Sequence, residues 1–220
     1  MRCIFRNVLL VVLLCAAAML MNCAVTEASI VTGDVTGGWA YNHGGVFVQL
    51  TPPIGDVGNN NFQSPNLYGF NESQNIVLTR NVTANIGTTL VMAGTEVSSH
   101  YIFFDSTPSK RLYGYVEFDE DIIAIMTKVD TLSDSDFISG GFANYLNPKR
   151  RGLEDADTVT IDPSNPRRIY INFKSGNPGD YIRVLTGSPS TSTTPEPATM
   201  VLFGIGSAAM AFARRKKQQA

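Results

Sequence analysis

The side chains of this 220-residue chain best placed to do chemistry are carboxylates, because they come in groups. Asp119-Glu120-Asp121 separates two strand-like stretches, Asp130, Asp134 and Asp136 follow, and Glu154, Asp155 and Asp157 precede a further strand. Calcium takes about six to eight oxygens from carboxylates, carbonyls and water, and loops at the ends of a β-sandwich supply them. The Asp130–Asp136 run lacks the glycine and terminal glutamate of an EF-hand loop. Asp155 and Asp157 are the preferred pair for a structural calcium ion, since alternate residues of an extended segment point the same way. The competing reading makes all of these acids solvated turn residues and requires no cofactor.

Paired carboxylates could also cleave glycosides, given two acids about 5–10 Å apart in a sugar-binding cleft. Glu72, Glu117 and Glu154 are available, but no sequence feature pairs them. His43 and His100 are the only histidines. A zinc site or a Ser-His-Asp triad would need further partners, so His100, ahead of an apolar run, reads more simply as a strand-edge residue bonded to backbone. The chain contains no Gly-x-Ser-x-Gly elbow, phosphate loop or His-Glu-x-x-His motif. The expectation is a protein without catalytic activity; the alternative is a secreted carbohydrate-active hydrolase with an unrecognised carboxylate site. Aromatic rings match the apolar faces of sugars. Trp39, Tyr41 and Tyr68 are the candidate stacking residues, with Phe70, Tyr113, Tyr115 and Tyr145 behind them, although half-buried packing is the default for tyrosine. Lys149-Arg150-Arg151 either pairs with Glu154 and Asp155 or meets an anionic polysaccharide.

These residues sit among short stretches of strand composition: 46–50, 75–79, 89–92, 101–104, 112–118, 122–127, 158–161, 169–173 and 181–185. Each is rich in Val, Ile, Tyr, Phe or Thr and bounded by Gly, Pro, Asn or Asp. Leu112, Gly114, Val116 and Phe118 alternate with Tyr113, Tyr115 and Glu117, the period of a strand with one buried face. Only Ser133 to Phe137 offers a short helix start. The pattern predicts an all-β fold, an antiparallel β-sandwich of jelly-roll-like order. Gly55 to Gly69 reads as a long loop.

The two ends specify a route. Arg2 and Arg6, an apolar core from Val8 to Met21 and the small residues up to Ala28 have the layout of a secretory signal peptide over 1–28, cleaved between Ala28 and Ser29. A β-sandwich ectodomain over 29–187 and a Ser/Thr/Pro linker over 188–194 follow. Residues 198–213 form an apolar run of about 24 Å as a helix, a transmembrane segment held by Arg214, Arg215, Lys216 and Lys217 on the cytoplasmic side. All three cysteines lie within the signal segment, so the ectodomain has no disulfide or thiolate site. Its 17 acidic against 11 basic groups give net −6, which disfavours nucleic-acid binding.

Pro195-Glu196-Pro197, the apolar segment and the Arg214-Arg215 cluster together resemble the PEP-CTERM sorting signal of bacterial exported proteins. The resemblance covers residues 195 to about 217. It implies export by the general secretory machinery and a transient hold in the inner membrane through the C-terminal helix. Processing by exosortase, a membrane-embedded protease, then delivers the protein to the cell surface or extracellular matrix of a biofilm, where exopolysaccharide is a partner. Four internal segments resemble parts of PEP-CTERM ectodomains: Tyr68 to Asn75, Ser99 to Asp105, Tyr145 to Pro148 with Arg151 to Glu154, and Pro178 to Thr186. No activity comes with that likeness, which leaves a non-catalytic binding or structural module as the expected role.

Overall fold

In the computed structural model, residues 27–59, 61–106, 109–176 and 179–189 are described. The expected signal helix, the linker beyond Pro189 and the expected transmembrane helix lie outside them. No helix among the described residues is long and apolar enough to cross a membrane. The chain divides into two units, and the described domain is the unit Glu27–Pro189.

In chain order the strands are β1 (Ile30–Gly37), β2 (Phe47–Gln49), β3 (Gly55–Val57), β4 (Leu67–Asn71), β5 (Ile76–Val77), β6 (Val82–Thr83), β7 (Ile86–Gly87) and β8 (Leu90–Val91). After them come β9 (Glu96–Phe104), β10 (Arg111–Phe118), β11 (Ile122–Met126), β12 (Ala143–Tyr145), β13 (Thr158–Asp162), β14 (Asn165–Lys174) and β15 (Asp180–Gly187). Two short helices, α1 (Gly38–Asn42) and α2 (Val129–Asp134), interrupt them.

Alternation builds the first sheet, ordered β1-β10-β14-β13 and antiparallel throughout. Leu112, Val116 and Phe118 from β10 point inward with Ile169, Ile171 and Phe173 from β14. They meet Ile102 and Phe104 from β9 and Ile182 and Val184 from β15, which belong to the second sheet. That sheet runs β2-β4-β9-β15-β11-β7, with β5 also on β9 and β2 parallel to β4. Its far face is covered too. Phe70, Tyr101, Phe103, Tyr181 and Leu185 pack there with Leu78, Val82 and Val91 from the β5–β8 segment, Leu132 from α2 and Ile138 from the turn after it. The domain thus has two apolar layers, one between the sheets and one behind the second sheet, and both lie within Glu27–Pro189. A unit carrying its own cores and strand pairings has the attributes of an independently folding domain.

The all-β expectation holds, with three differences of detail. The last strand, β15, sits inside the second sheet between β9 and β11, while β1 occupies an edge of the first beside β10. In a jelly roll the first and last strands are neighbours, so that order is not met. The expected loop 55–69 contains β3 and enters β4, which shows no alternation because nearly every residue of Leu67–Asn71 is buried. The expected helix at Ser133 instead begins at Val129. Its start is fixed from a distant loop: Asn85 Oδ1 accepts from the backbone N–H of Thr127 at 2.7 Å and from the Thr131 hydroxyl at 2.7 Å. A cap supplied across more than 40 residues has no local signature.

Candidate functional site

Behind the second sheet, inward-facing residues of β9 and β15 meet the loop after β4 and the turns after α2, and build a buried charge network. Arg183 donates from Nε to Glu72 Oε2 at 2.6 Å and from Nη2 to Glu72 Oε1 at 2.8 Å. Its Nη1 reaches the Leu132 carbonyl at 2.9 Å and the Ser135 hydroxyl at 2.6 Å. Tyr145 and Ser99 hydroxyls also donate to Glu72. Arg151 makes a bidentate pair with Asp136 at 3.0 and 2.6 Å, and Arg183 reaches the same carboxylate at 3.2 Å. Arg183, Glu72 and Arg151 are all buried. Arg183 stays firmly charged: burial opposes the charge, and Glu72 outweighs it. The Tyr145 hydroxyl is held neutral by burial and by Glu72. With both carboxylate oxygens of Glu72 occupied and Glu72, Arg151 and Arg183 out of solvent, this network ties loops together, and the Asp136 side chain, 37% exposed, is its outer end. Each of the four segments that resemble PEP-CTERM ectodomains contributes to it, through Glu72, Ser99, Tyr145 with Arg151, and Arg183.

The outer face of the first sheet is the contrasting surface. Tyr113 and Tyr170 are 41% and 45% exposed, and Tyr115 is half-buried between them. Register aligns Asp34, Tyr115, Tyr170 and Thr160 across four strands, with Tyr113, Asn172 and Thr158 in the neighbouring row. Arg168 lies 5.1 Å over the Tyr115 ring while pairing with Glu117 at 2.6 Å, and Arg111 lies 5.9 Å over Tyr113. The Arg168 contact lowers the Glu117 carboxyl below its usual range. Rings, amides, hydroxyls and both charge signs therefore share one open sheet face, with chemistry suited to stacking and polar contact.

A third region lies at the end of the inter-sheet layer. Asp157 accepts the Lys174 backbone N–H on Oδ1 at 2.6 Å and the Glu154 N–H on Oδ2 at 2.9 Å. Burial raises its carboxyl despite those donors. Glu154, Asp155 and Asp157 line a cleft of about 310 Å³ together with Lys128, Leu153 and Thr158. Asp180 is buried nearby, and burial, then Asp157 and Glu154, push its carboxyl up to about 9.

The sequence-predicted residues divide accordingly. Tyr68 is buried with its ring between Phe62 and Phe103 and its hydroxyl on Ser64, so it presents no sugar platform. Trp39 is half-buried against the inter-sheet core, stacked on His43 at 4.2 Å and covered by Lys110 at 4.7 Å, whereas Tyr41 is exposed. Asp155 lies in a turn closed by the Asp157 N–H to Glu154 carbonyl bond, so the extended geometry assumed for it and Asp157 is absent. Among the described residues no three His, Cys, Asp or Glu side chains stand ready around a metal ion. His100 is inside β9, not at a strand edge, bonding Asn71 at 2.8 Å and Thr186 at 3.0 Å, and burial drives its pKa down to about 3. Ala28 is buried, and Ser29 donates its N–H to Asp119 Oδ1 at 2.6 Å. Pro195, Glu196, Pro197, Arg214 and Arg215 lie outside the described residues. Tyr170 and Asp180 were not singled out from sequence. For Tyr170 the signal was present in its alternation with Ile169 and Ile171; for Asp180 there was none.

The described unit is thus a β module of two large sheets and two two-stranded ones, braced by buried charge and open on one face of the first sheet. Its route comes from the tail: residues 193–217 match the PEP-CTERM protein-sorting motif. That motif supports an exported protein, processed by exosortase and sorted through the membrane. No curated protein and no solved structure matches the chain.

Proposed function

We propose that the domain is a non-catalytic module of the cell surface or extracellular matrix, and that the outer face of the β1-β10-β14-β13 sheet binds polysaccharide. The observation that carries this reading is the asymmetry of the fold. The second sheet is covered on both faces, while the first leaves Tyr113, Tyr115 and Tyr170 open beside Asp34, Asn172, Arg111 and Arg168. An extended chain of sugars fits such a flat face, with rings on the tyrosines and hydroxyls on the polar neighbours. The C-terminal segment holds the chain in the inner membrane until exosortase acts. Signal cleavage after Ala28 would place the new ammonium of Ser29 on Asp119, which already receives its N–H.

The reading as a hydrolase draws on the cleft lined by Glu154, Asp155 and Asp157. It is the weaker one, because both Asp157 oxygens are held by backbone amides and Asp180 is withdrawn from solvent.

Affinity electrophoresis of residues 27–189 through gels containing neutral or uronate-rich polysaccharide separates these readings. Retardation by at least one gel is expected. Tyr113→Ala and Tyr170→Ala should each weaken it about tenfold, on the order of 1.4 kcal/mol, with an unchanged circular dichroism spectrum. Free migration through every gel would leave a purely structural component, and release of reducing ends would make the domain a hydrolase.

A further inference from the structure

The outer face of the first sheet carries its charge unevenly. Toward one end Arg168 pairs with Glu117 at 2.6 Å, so the cation there has its counter-charge. At the other end Arg111 of β10 stands directly opposite Lys174 of β14 in register. Like charges facing each other across a strand pair repel and cost stability unless an anion joins them. Among the described residues neither Arg111 nor Lys174 has an ion pair. Two carboxylates feel the Arg111 charge, Asp157 and Asp180, and both are buried. Asp157 spends its oxygens on the backbone amides of Lys174 and Glu154. Lys110, beside Arg111, holds its ammonium 4.7 Å over Trp39 and adds a third cation at this end.

The cation pair borders the tyrosines. Tyr113 follows Arg111 by two residues on the same face of β10, and the guanidinium lies 5.9 Å from its ring centre. Asn172, opposite Tyr113, accepts from Arg111 Nη1 and sets the direction of the guanidinium. Lys174 is exposed. The other guanidinium N–H groups and the ammonium are therefore donors on the open face, next to a ring on which a sugar can stack.

We propose, resting on the reading of this face as polysaccharide-binding, that its ligand is an acidic polysaccharide, with Arg111 and Lys174 gripping the carboxylate of a uronate whose ring lies on Tyr113. A guanidinium fork matches a carboxylate with two parallel bonds, and the lysine adds a point charge from the adjacent strand. A neutral sugar leaves the two cations facing each other, whereas a uronate brings them the missing anion. The ectodomain as a whole is net acidic, with 17 acidic against 11 basic groups, so its average field repels a polyanion. Attraction to one must come from a local cluster such as this.

The test is affinity electrophoresis of residues 27–189 at pH 7 through gels of polygalacturonate, alginate, methyl-esterified polygalacturonate and a neutral glucan. The ester keeps the sugar backbone and removes the charge. At least one uronate gel should bind about tenfold more tightly than the ester or the glucan, and raising salt to about 0.3 M should abolish most of the difference. Arg111→Gln and Lys174→Gln should each weaken uronate binding about tenfold without lowering Tm. Replacing Lys149 and Arg150, exposed cations of another turn, by glutamine should change nothing. Equal retardation by uronate and uncharged gels would overturn the acidic assignment and leave the polysaccharide-binding face standing. Uronate retardation that survives both substitutions, or that falls as far on loss of Lys149 and Arg150, would also overturn it. Free migration through every gel would overturn both readings.

Discussion

Strand β15 carries one carboxyl and one guanidinium group in the interior, Asp180 and Arg183, three residues apart on opposite faces, and the fold treats them in opposite ways. Arg183 has a bidentate carboxylate, a carbonyl and a hydroxyl around its guanidinium, with the Tyr101 and Tyr145 rings 5.5 and 5.7 Å away. Among the described residues the Asp180 carboxyl has no hydrogen bond, and its charged neighbours are Asp157, Glu154 and Asp105 against Arg111. Burial is the same for both, so it does not decide how each behaves. Partners do. A buried charge with every lone pair and proton engaged is locked in one arrangement; a buried charge without them is unstable alone and takes up a proton.

The largest effect should come from breaking the satisfied member. Arg183→Met leaves Glu72 buried with its main counter-charge gone, and it frees the Leu132 carbonyl and Ser135 that hold α2. A loss of about 3–5 kcal/mol is expected in urea unfolding, with Tm lower by about 10 °C or more. Adding Glu72→Gln to the same chain should recover part of that loss, because the uncompensated charge is removed. If the double variant were less stable than Arg183→Met, the loss would not come from an orphaned Glu72.

This contrast also explains what the sequence could reveal. Strands β10 and β14 were legible because one face meets the core and the other meets water, so Leu112 to Phe118 and Ile169 to Phe173 alternate visibly. Strand β4 was hidden within an expected loop because both its faces are covered. The same doubling of buried layers conceals Glu72 and Arg183, 111 residues apart in the chain and 2.6 Å apart in space. Their segments were noticed as a family-like set, yet nothing local pairs an acid in a turn with an arginine in a strand. Asp180 has no sequence signal at all, since orphanhood is a property of three-dimensional surroundings alone.

The next effect is smaller and depends on pH. The Asp180 carboxyl is raised to about 9 in the folded domain and titrates near 4 when unfolded. The folded state therefore holds more protons between those values, and its stability falls as pH rises through that window. His100 works the other way: its folded pKa of about 3 lies below the unfolded value near 6.5, so its contribution is lost as pH falls below about 6.5. The two slopes offset below about pH 6.5, and above it only the Asp180 slope remains. Urea unfolding should show stability declining from pH 6.5 to 8.5 by about 1 kcal/mol per unit. Asp180→Asn should flatten that decline and be the more stable chain at pH 8.5. A parent chain whose stability is level across this range would mean that Asp180 is not held protonated in the folded domain.

The smallest effect belongs to charge pairs standing in water, which set the baseline for both buried cases. Arg167 and Asp121 are 3.0 Å apart with side chains 49% and 64% exposed. Solvent screens their attraction, and each long side chain loses freedom in making it. Arg167→Ala should shift Tm by no more than about 1–2 °C, and about 1 M salt should erase most of the difference. Arg168 is the informative intermediate, because its pair with Glu117 also brings the guanidinium over the Tyr115 ring on the open sheet face. Its replacement by alanine should cost little stability but leave Tyr115 more exposed. Polysaccharide retardation then changes more than Tm does, whereas at Arg183 the order is reversed. That reversal separates residues that hold the domain together from residues that face its ligand. A Tm loss at Arg168 comparable to that at Arg183 would show that the open face is also part of the scaffold.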